Sequence, residues 1–108
     1  MEISTRKVVF TGLFQLTTLS VLKYIAETSP RNAEKFAADL EIFLDEIKKY
    51  PEIYKEFKPW ATKSKWYRYR IFKKNYLIIF KVTSLHLLFV RLEYAKRNPD
   101  YYKELKKS

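Results

Sequence analysis

Two arginines alternate with tyrosines in the stretch Tyr67-Arg68-Tyr69-Arg70-Ile71, whose residue types could do chemistry on an anion. Side chains alternate between the two faces of a β-strand, so Arg68 and Arg70 share one face and Tyr67, Tyr69 and Ile71 share the other. Guanidinium groups bind phosphates and carboxylates through charge-assisted hydrogen bonds, and aromatic rings stack on nucleic-acid bases. The pattern therefore predicts a binding site for an anionic partner.

The charge of the chain is concentrated around this stretch. Residues 1–54 carry 7 Lys and Arg and 8 Asp and Glu, whereas residues 55–108 carry 15 and 4, within a net charge of +10. Such a distribution favours nucleic acid, an acidic protein segment or a membrane surface as the partner. Because basic and aromatic side chains are interleaved here, we predict nucleic-acid contacts from Lys63, Lys65, Trp66, Lys81, Tyr94 and Tyr101.

The composition also disfavours several classes of site. Cysteine is absent, which excludes disulfides, thiolate metal sites and a cysteine nucleophile, and His86 is the single histidine. We therefore expect no metal and no cofactor. No apolar run approaches the roughly 20 residues that a membrane-spanning helix needs, and the N-terminus does not resemble a signal peptide. We expect a single domain, residues 1–108, in the cytoplasm.

The first half of the chain predicts the elements that position this stretch. A short strand at residues 7–11 is followed by a helix over residues 14–28. Ser29 is suited to cap a second helix and Pro30 to its first position, and Pro51 ends that helix near residue 50. Two helices joined this closely form an antiparallel hairpin, whose apolar faces need a sheet to pack against.

The second half predicts a three-stranded antiparallel meander from Trp66 to Glu93. With Lys74-Asn75 as a two-residue turn, Ile71 pairs with Ile78, and Arg68 lies beside Lys81. One face of the sheet is then apolar, with Leu85, Leu87 and Phe89 of the last strand, and the other face carries the cations. On that cationic face the last strand adds His86, Leu88, Val90 and Leu92.

Two features of the pattern allow more than one interpretation. Leu16 and Leu19 lie outside the apolar stripe of the first helix, which fits either additional core or a docking surface, and we favour core. Residues 51–65 are basic and carry Pro51 and Pro59, which fits either a solvated loop or the rim of an anion site. The tail predicts a short helix from Pro99 to about Lys107.

This layout resembles the RelE/ParE superfamily of type II toxin–antitoxin toxins over about residues 7–103. The resemblance is carried by Tyr24-Ile25-Ala26-Glu27, Ser29-Pro30, Ala33, Phe36, Tyr67-Arg68-Tyr69-Arg70-Ile71, Tyr76-Leu77-Ile78-Ile79-Phe80-Lys81-Val82 and Lys96-Arg97-Asn98-Pro99. It implies an α+β fold in the order β-α-α-β-β-β-(short α), with an antiparallel sheet of about four strands packed against the helical hairpin. It also implies an acidic antitoxin that wraps the toxin as its partner.

The superfamily has two activities, and the resemblance leaves both open. One branch cuts messenger RNA on the ribosome, where a 2′-hydroxyl attacks the adjacent phosphate. By this resemblance the catalytic residues are Arg68 and Arg70 as phosphate ligands, Lys96 or Arg97 as the transition-state cation, and Tyr102 as a stacking or proton-relaying group. The general base is either Glu93 or a tyrosine, because arginine stays protonated.

Two departures weigh against the RNA-cutting branch. Members often carry Tyr-Arg where this chain has Tyr76-Leu77, and many carry His where it has Tyr94. The other branch inhibits DNA gyrase and has no nuclease activity, and the helical hairpin is more similar to that branch. The sequence is thus consistent with an mRNA endoribonuclease, with a gyrase inhibitor, and with a basic nucleic-acid-binding module that is not a toxin.

Overall fold

The computed structural model describes residues 6–63 and 65–95, which form a mixed sheet covered on one side by two helices. The elements in chain order are β1 (Lys7–Phe10), α1 (Gly12–Thr28), α2 (Pro30–Lys49), β2 (Lys55–Glu56), β3 (Tyr67–Phe72), β4 (Tyr76–Val82) and β5 (His86–Tyr94). The sheet order is β1-β5-β4-β3-β2, with β1 parallel to β5 and the other pairs antiparallel. The α+β fold with its helical hairpin is confirmed, and β2 adds a fifth strand to the predicted four.

The helical hairpin forms where its sequence signals predict it. The Ser29 side chain accepts a hydrogen bond from the backbone N–H of Asn32 (3.2 Å), and Pro30 takes the first position of α2. The backbone N–H of Ser29 also donates to the carbonyl of Ile25 (2.9 Å), so one residue ends α1 and begins α2. Helix α1 begins at Gly12, two residues before the predicted start, because Thr11 caps it by accepting from the N–H of Phe14.

The main core lies between the helices and one side of the sheet, here called the helix side. Buried Phe14 of α1 and Phe36 and Leu40 of α2 pack against Phe80 and Phe89 of the sheet. Each such side chain stabilises the fold by about 1.5–3 kcal/mol through the apolar surface that it removes from water. Leu16 and Leu19 stay outside this core with 65% and 50% of their surfaces exposed, so the prediction that they are core residues is wrong.

The β3–β4 register differs from the prediction by one residue. Ile71 pairs with Leu77 and Arg70 with Ile78, because the connection contains three residues rather than two. Two of these residues, Lys73 and Lys74, adopt φ values of 50° and 65°, and the N–H of Asn75 closes the turn on the carbonyl of Lys73 at 2.7 Å. A shift of one residue exchanges the two faces of a strand relative to its neighbour, so it decides where the arginines point.

A bulge in β5 causes the second departure from the predicted faces. Phe80 pairs with Phe89 and Ile79 with Arg91, which leaves Val90 as the extra residue. Leu92 therefore joins the helix-side core instead of the face predicted for the cations. Leu85 precedes the strand and is 70% exposed, so its predicted place in the core is also wrong.

Candidate functional site

Arg70 lies on the helix side of the sheet, where α2 supplies its partners. Its Nη1 lies 2.7 Å from Glu46 Oε1 and 3.5 Å from the carbonyl oxygen of Phe43. The guanidinium carbon lies 3.9 Å from the ring centre of Phe43 and 5.5 Å from that of Tyr54. An ion pair and two aromatic rings thus hold the charged group between β3 and the C-terminal part of α2.

Arg68 holds the chain that follows α2 in a similar way. Its Nη1 donates to the carbonyl oxygens of Tyr54 (2.7 Å) and Glu52 (3.2 Å). Glu52 in turn accepts from Arg6 at 3.0 Å, and this hydrogen bond is the main reason that the pKa of the carboxyl is lowered. Arg68 and Arg70 therefore connect the sheet to α2 and to the short 3₁₀ turn Pro51–Ile53.

The predicted cationic face does not form as such. Lys81 pairs with Tyr67, whereas Arg68 pairs with Phe80 and points to the helix side, so the two cations lie on opposite sides of the sheet. The reason is the three-residue turn, which places Arg68 and Arg70 on the side that the helices cover. The prediction that they share a face with Lys81 is wrong, and their catalytic role remains a prediction.

The other side of the sheet, here called the outer side, carries a second apolar cluster. Its buried members are Phe57, Trp60, Tyr67, Leu77, Ile79 and Val90. Trp60 is completely buried and its ring lies edge-on to that of Tyr67 at 5.3 Å. Burial also raises the pKa of the Tyr67 hydroxyl. The basic connector thus folds back over the sheet as β2 and the 3₁₀ turn Lys58–Trp60, with its lysines outward.

The outer side also contains a buried ion pair that the sequence analysis did not identify. Nη2 of Arg91 lies 3.3 Å from both carboxylate oxygens of Glu93, and the two side chains are only 11% and 7% exposed. Glu93 was a candidate general base, but here its carboxylate faces a cation within the sheet. The signal in the sequence was an arginine and a glutamate two residues apart in an otherwise apolar strand, which places both on one face.

The structure brings some of the predicted nucleic-acid contacts together and separates another. Lys65 and Trp66 are exposed just before β3, and the Nζ of Lys81 lies 4.7 Å from the Trp66 ring centre. Lys63 is exposed in the same loop. Tyr94 instead pairs with Tyr76 at the opposite end of β4, roughly 17 Å from Lys81 by the rise of a strand.

The predicted residues of the tail are not located by the structure. Lys96, Arg97, Tyr101 and Tyr102 lie outside the described residues, as does the short helix predicted from Pro99. Within the described part of the chain, no three His, Asp or Glu side chains are grouped so that they could hold a metal ion. None of the described helices is long and apolar enough to cross a membrane.

A groove of about 820 Å³ lies along the edge of the sheet that β2 and β3 form. Apolar side chains of Ile53, Ile71 and Leu77 line it together with Lys55 and Lys58 of the connector. Residues 51–65, for which the sequence allowed either a solvated loop or the rim of an anion site, thus combine two roles. Their aromatic residues are core, and their lysines surround a groove.

Comparison with known proteins identifies one family. The family model described as the ParE toxin of type II toxin–antitoxin system, parDE, matches residues 8–99. The match spans every helix and nearly all of every strand described above. No curated protein matches the chain.

Proposed function

The chain belongs to the ParE toxin family of type II toxin–antitoxin systems, and from this we propose that it acts by inhibiting DNA gyrase and does not cut RNA. An antitoxin is the partner that membership of such a system implies. The excess of basic residues after residue 54 suits an acidic antitoxin, because opposite charges on two surfaces speed their association and stabilise the complex.

The observation that carries this proposal is the position of Arg68 and Arg70. Cleavage by an internal 2′-hydroxyl needs cations that can reach the phosphate as its negative charge increases. Here the Nη1 atoms of both arginines are bound to acceptors from α2 and the segment after it, and Arg70 also stacks on Phe43. These contacts support a structural role for the two arginines.

Leu77 supports the same reading. By the resemblance, members of the superfamily often carry arginine at this position, whereas Leu77 is 8% exposed and packs in the outer cluster. An arginine there would replace an apolar side chain of this cluster by a charge, and would bring a second cation next to the buried Arg91–Glu93 pair, since Leu77 lies opposite Glu93. A toxin that acts by binding needs no such group, since its effect depends on the shape and charge of its surface.

The test combines a purified system with cells. Wild-type protein is added to gyrase, ATP and relaxed plasmid, and supercoiling is followed on gels, while transcript 5′ ends are mapped in cells after induction. We expect loss of supercoiling, growth arrest and unchanged 5′ ends. Arg70→Gln and the exposed control Lys74→Gln are compared in both assays, with melting temperatures measured alongside.

The opposite pattern would refute the proposal. New 5′ ends within translated codons that disappear in Arg70→Gln but persist in Lys74→Gln would assign the protein to the RNA-cutting branch. Growth that continues unaffected, with active gyrase and intact transcripts, would instead indicate a basic binding module.

A further inference from the structure

One corner of the outer side, formed by β1, the start of β5 and the end of β4, carries basic side chains. Lys7 of β1 pairs with His86 of β5, and Lys81 lies on β4, the next strand. Their neighbours Phe80 and Leu87 belong to the helix-side core, so these three side chains point to the outer side. The Cα atoms of Lys7 and Lys81 are roughly 12 Å apart by the spacing and rise of strands.

An exposed aromatic ring adjoins this corner. Trp66 is 39% exposed, and the Nζ of Lys81 lies 4.7 Å from its ring centre. The carbonyl of Trp66 accepts from the N–H of Val82 at 2.7 Å, and its own N–H donates to the hydroxyl oxygen of Thr62 at 3.1 Å. The backbone that carries the ring is therefore anchored beside a cation, which is an arrangement on which nucleic-acid bases stack.

The sequence around this corner contains many cations and no acidic residue. Residues 57–92 carry nine Lys and Arg and no Asp or Glu. Lys63 and Lys65 are exposed just before Trp66, and Lys7 is exposed on β1. Within the described part of the chain, none of these three lysines forms an ion pair. A ligand with many negative charges is therefore favoured at this corner.

We propose that single-stranded DNA binds at this corner, where a base stacks on Trp66 and phosphates contact the surrounding lysines. These lysines are Lys7, Lys63, Lys65 and Lys81. The distance from Lys7 to Lys81 corresponds to roughly two to four nucleotides of a single strand.

An acidic peptide suits the corner less well. Lys81 lies in a central strand whose backbone pairs with β3 and β5, so no peptide strand can add there. Carboxylates of a peptide would also leave the ring of Trp66 without a stacking partner. The choice of DNA over RNA rests on the proposed function, since gyrase acts on DNA, whereas the stacking and phosphate contacts do not depend on it.

The first test follows the anisotropy of a fluorescein-labelled 12-nucleotide oligothymidine with the full-length protein at several salt concentrations. Lys63→Gln/Lys65→Gln should weaken binding about tenfold at low salt. It should also reduce the slope of log K against log salt by about 1.4, because each phosphate contact of a single strand contributes about 0.7. The control Lys23→Gln/Lys35→Gln removes two exposed charges from the helices and should bind within about twofold of wild type. Equal effects of the two double variants would overturn the proposal.

Tryptophan fluorescence separates stacking from charge. The chain has two tryptophans, and Trp60 is completely buried, so quenching by unlabelled oligothymidine reports on Trp66. We expect quenching in wild type and its loss in Trp66→Phe, which keeps a flat ring and should bind within about threefold of wild type. Trp66→Leu removes the ring and should weaken binding roughly tenfold at an unchanged melting temperature. Wild-type affinity of Trp66→Leu, or no quenching in wild type, would overturn the proposal.

Three other ligands test the class of partner. A duplex of the same length that binds at least as tightly without quenching would overturn the proposed stacking. An oligouridine that binds at least tenfold more tightly would overturn the choice of DNA, and poly-glutamate that competes equally at equal charge would favour an acidic polypeptide instead. No gyrase is present, so failure of the gyrase proposal cannot produce any of these results.

Discussion

The two sides of the sheet use arginine in different ways. On the helix side, Arg68 and Arg70 reach acceptors on α2 and the segment that follows it, with Glu46 and Glu52 on the partly exposed margin of the core. On the outer side, Arg91 is paired with Glu93 inside the sheet, next to an apolar cluster. Arginine thus joins separate elements on one side and balances a buried charge on the other.

On both sides of the described sheet, arginines are bound to acceptors of the protein itself. The outer side was the face expected to carry phosphate ligands, but there the connector covers β3 and β4 with Phe57 and Trp60. Among the described residues, exposed cations lie at the sheet edge, in loops and on the two helices, for example Lys55, Lys58 and Lys23.

Truncating one large buried side chain on each side of the sheet is the strongest test of whether the helix side and the outer side both contribute a core. Trp60→Ala on the outer side and Phe80→Ala on the helix side should each lower the free energy of unfolding by about 3–5 kcal/mol, because both residues are completely buried. Urea denaturation followed by circular dichroism measures the loss. If Trp60→Ala cost less than about 1 kcal/mol, the outer cluster would not be a second core.

The buried ion pair on the outer side should give the next largest effect. Glu93→Gln leaves the Arg91 charge without its carboxylate, at an expected cost of about 3 kcal/mol. The double variant Arg91→Met/Glu93→Leu should regain most of that stability, because it removes both charges and keeps apolar volume. Equal stability of Glu93→Gln and wild type would show that water reaches the pair.

On the helix side, Arg70→Gln should cost about 1–2 kcal/mol through loss of stacking on Phe43 and of the ion pair with Glu46. Glu46 is 48% exposed, so most of this loss should come from the stacking. Combining Arg70→Gln with Glu46→Gln in a double-mutant cycle isolates the ion pair. A coupling energy above about 1 kcal/mol would contradict the view that this pair is weakened by solvent.

Alkaline pH offers the smallest and most specific comparison. Burial is the main reason that the pKa values of Tyr67 on the outer side and Tyr76 on the helix side are raised in the folded protein. The unfolded chain loses these protons first, so stability is full below the unfolded pKa of 10.0 and falls as pH rises toward the folded pKa values.

Tyr67→Phe and Tyr76→Phe should each reduce this alkaline loss by less than about 1 kcal/mol, measured as urea midpoints between roughly pH 9 and 11. The reduction should be additive in the double variant, because the residues lie in different clusters. A single variant that abolished the whole pH dependence would show that only one of the two sides resists ionisation.

Sequence signals that act between neighbouring residues predicted the structure correctly, whereas the strand register could not be predicted from them. The Ser29-Pro30 joint was predictable because the cap and the proline act within one turn of helix. The β3–β4 register was not, because Lys73 and Lys74 adopt left-handed backbone angles for which glycine or asparagine is the usual signal. The extra residue Val90 likewise has no recognisable marker.

The three-residue β3–β4 turn and the bulge at Val90 determine which side chains share a face of the sheet. The sequence predicted Arg68 and Arg70 as anion-binding residues, but it could not indicate Glu46 as an acceptor for Arg70, because Glu46 lies 24 positions away. The Arg91–Glu93 pair was missed although its spacing in the strand was informative. Sequence patterns drew attention to Arg68 and Arg70, whereas the acceptors that these arginines bind could be identified only from the tertiary structure.

The pairing of β1 with β5 has a consequence for synthesis of the toxin on the ribosome. Strand β1 bonds only to β5 within the described sheet, and Thr11 donates to the carbonyl of Phe89, 78 positions later. At ordinary rates of translation, β1 emerges roughly 4–16 s before its pairing partner. A nascent chain therefore cannot complete its sheet until β5 has left the ribosome, so β1 stays without its partner strand while the segments between them are made.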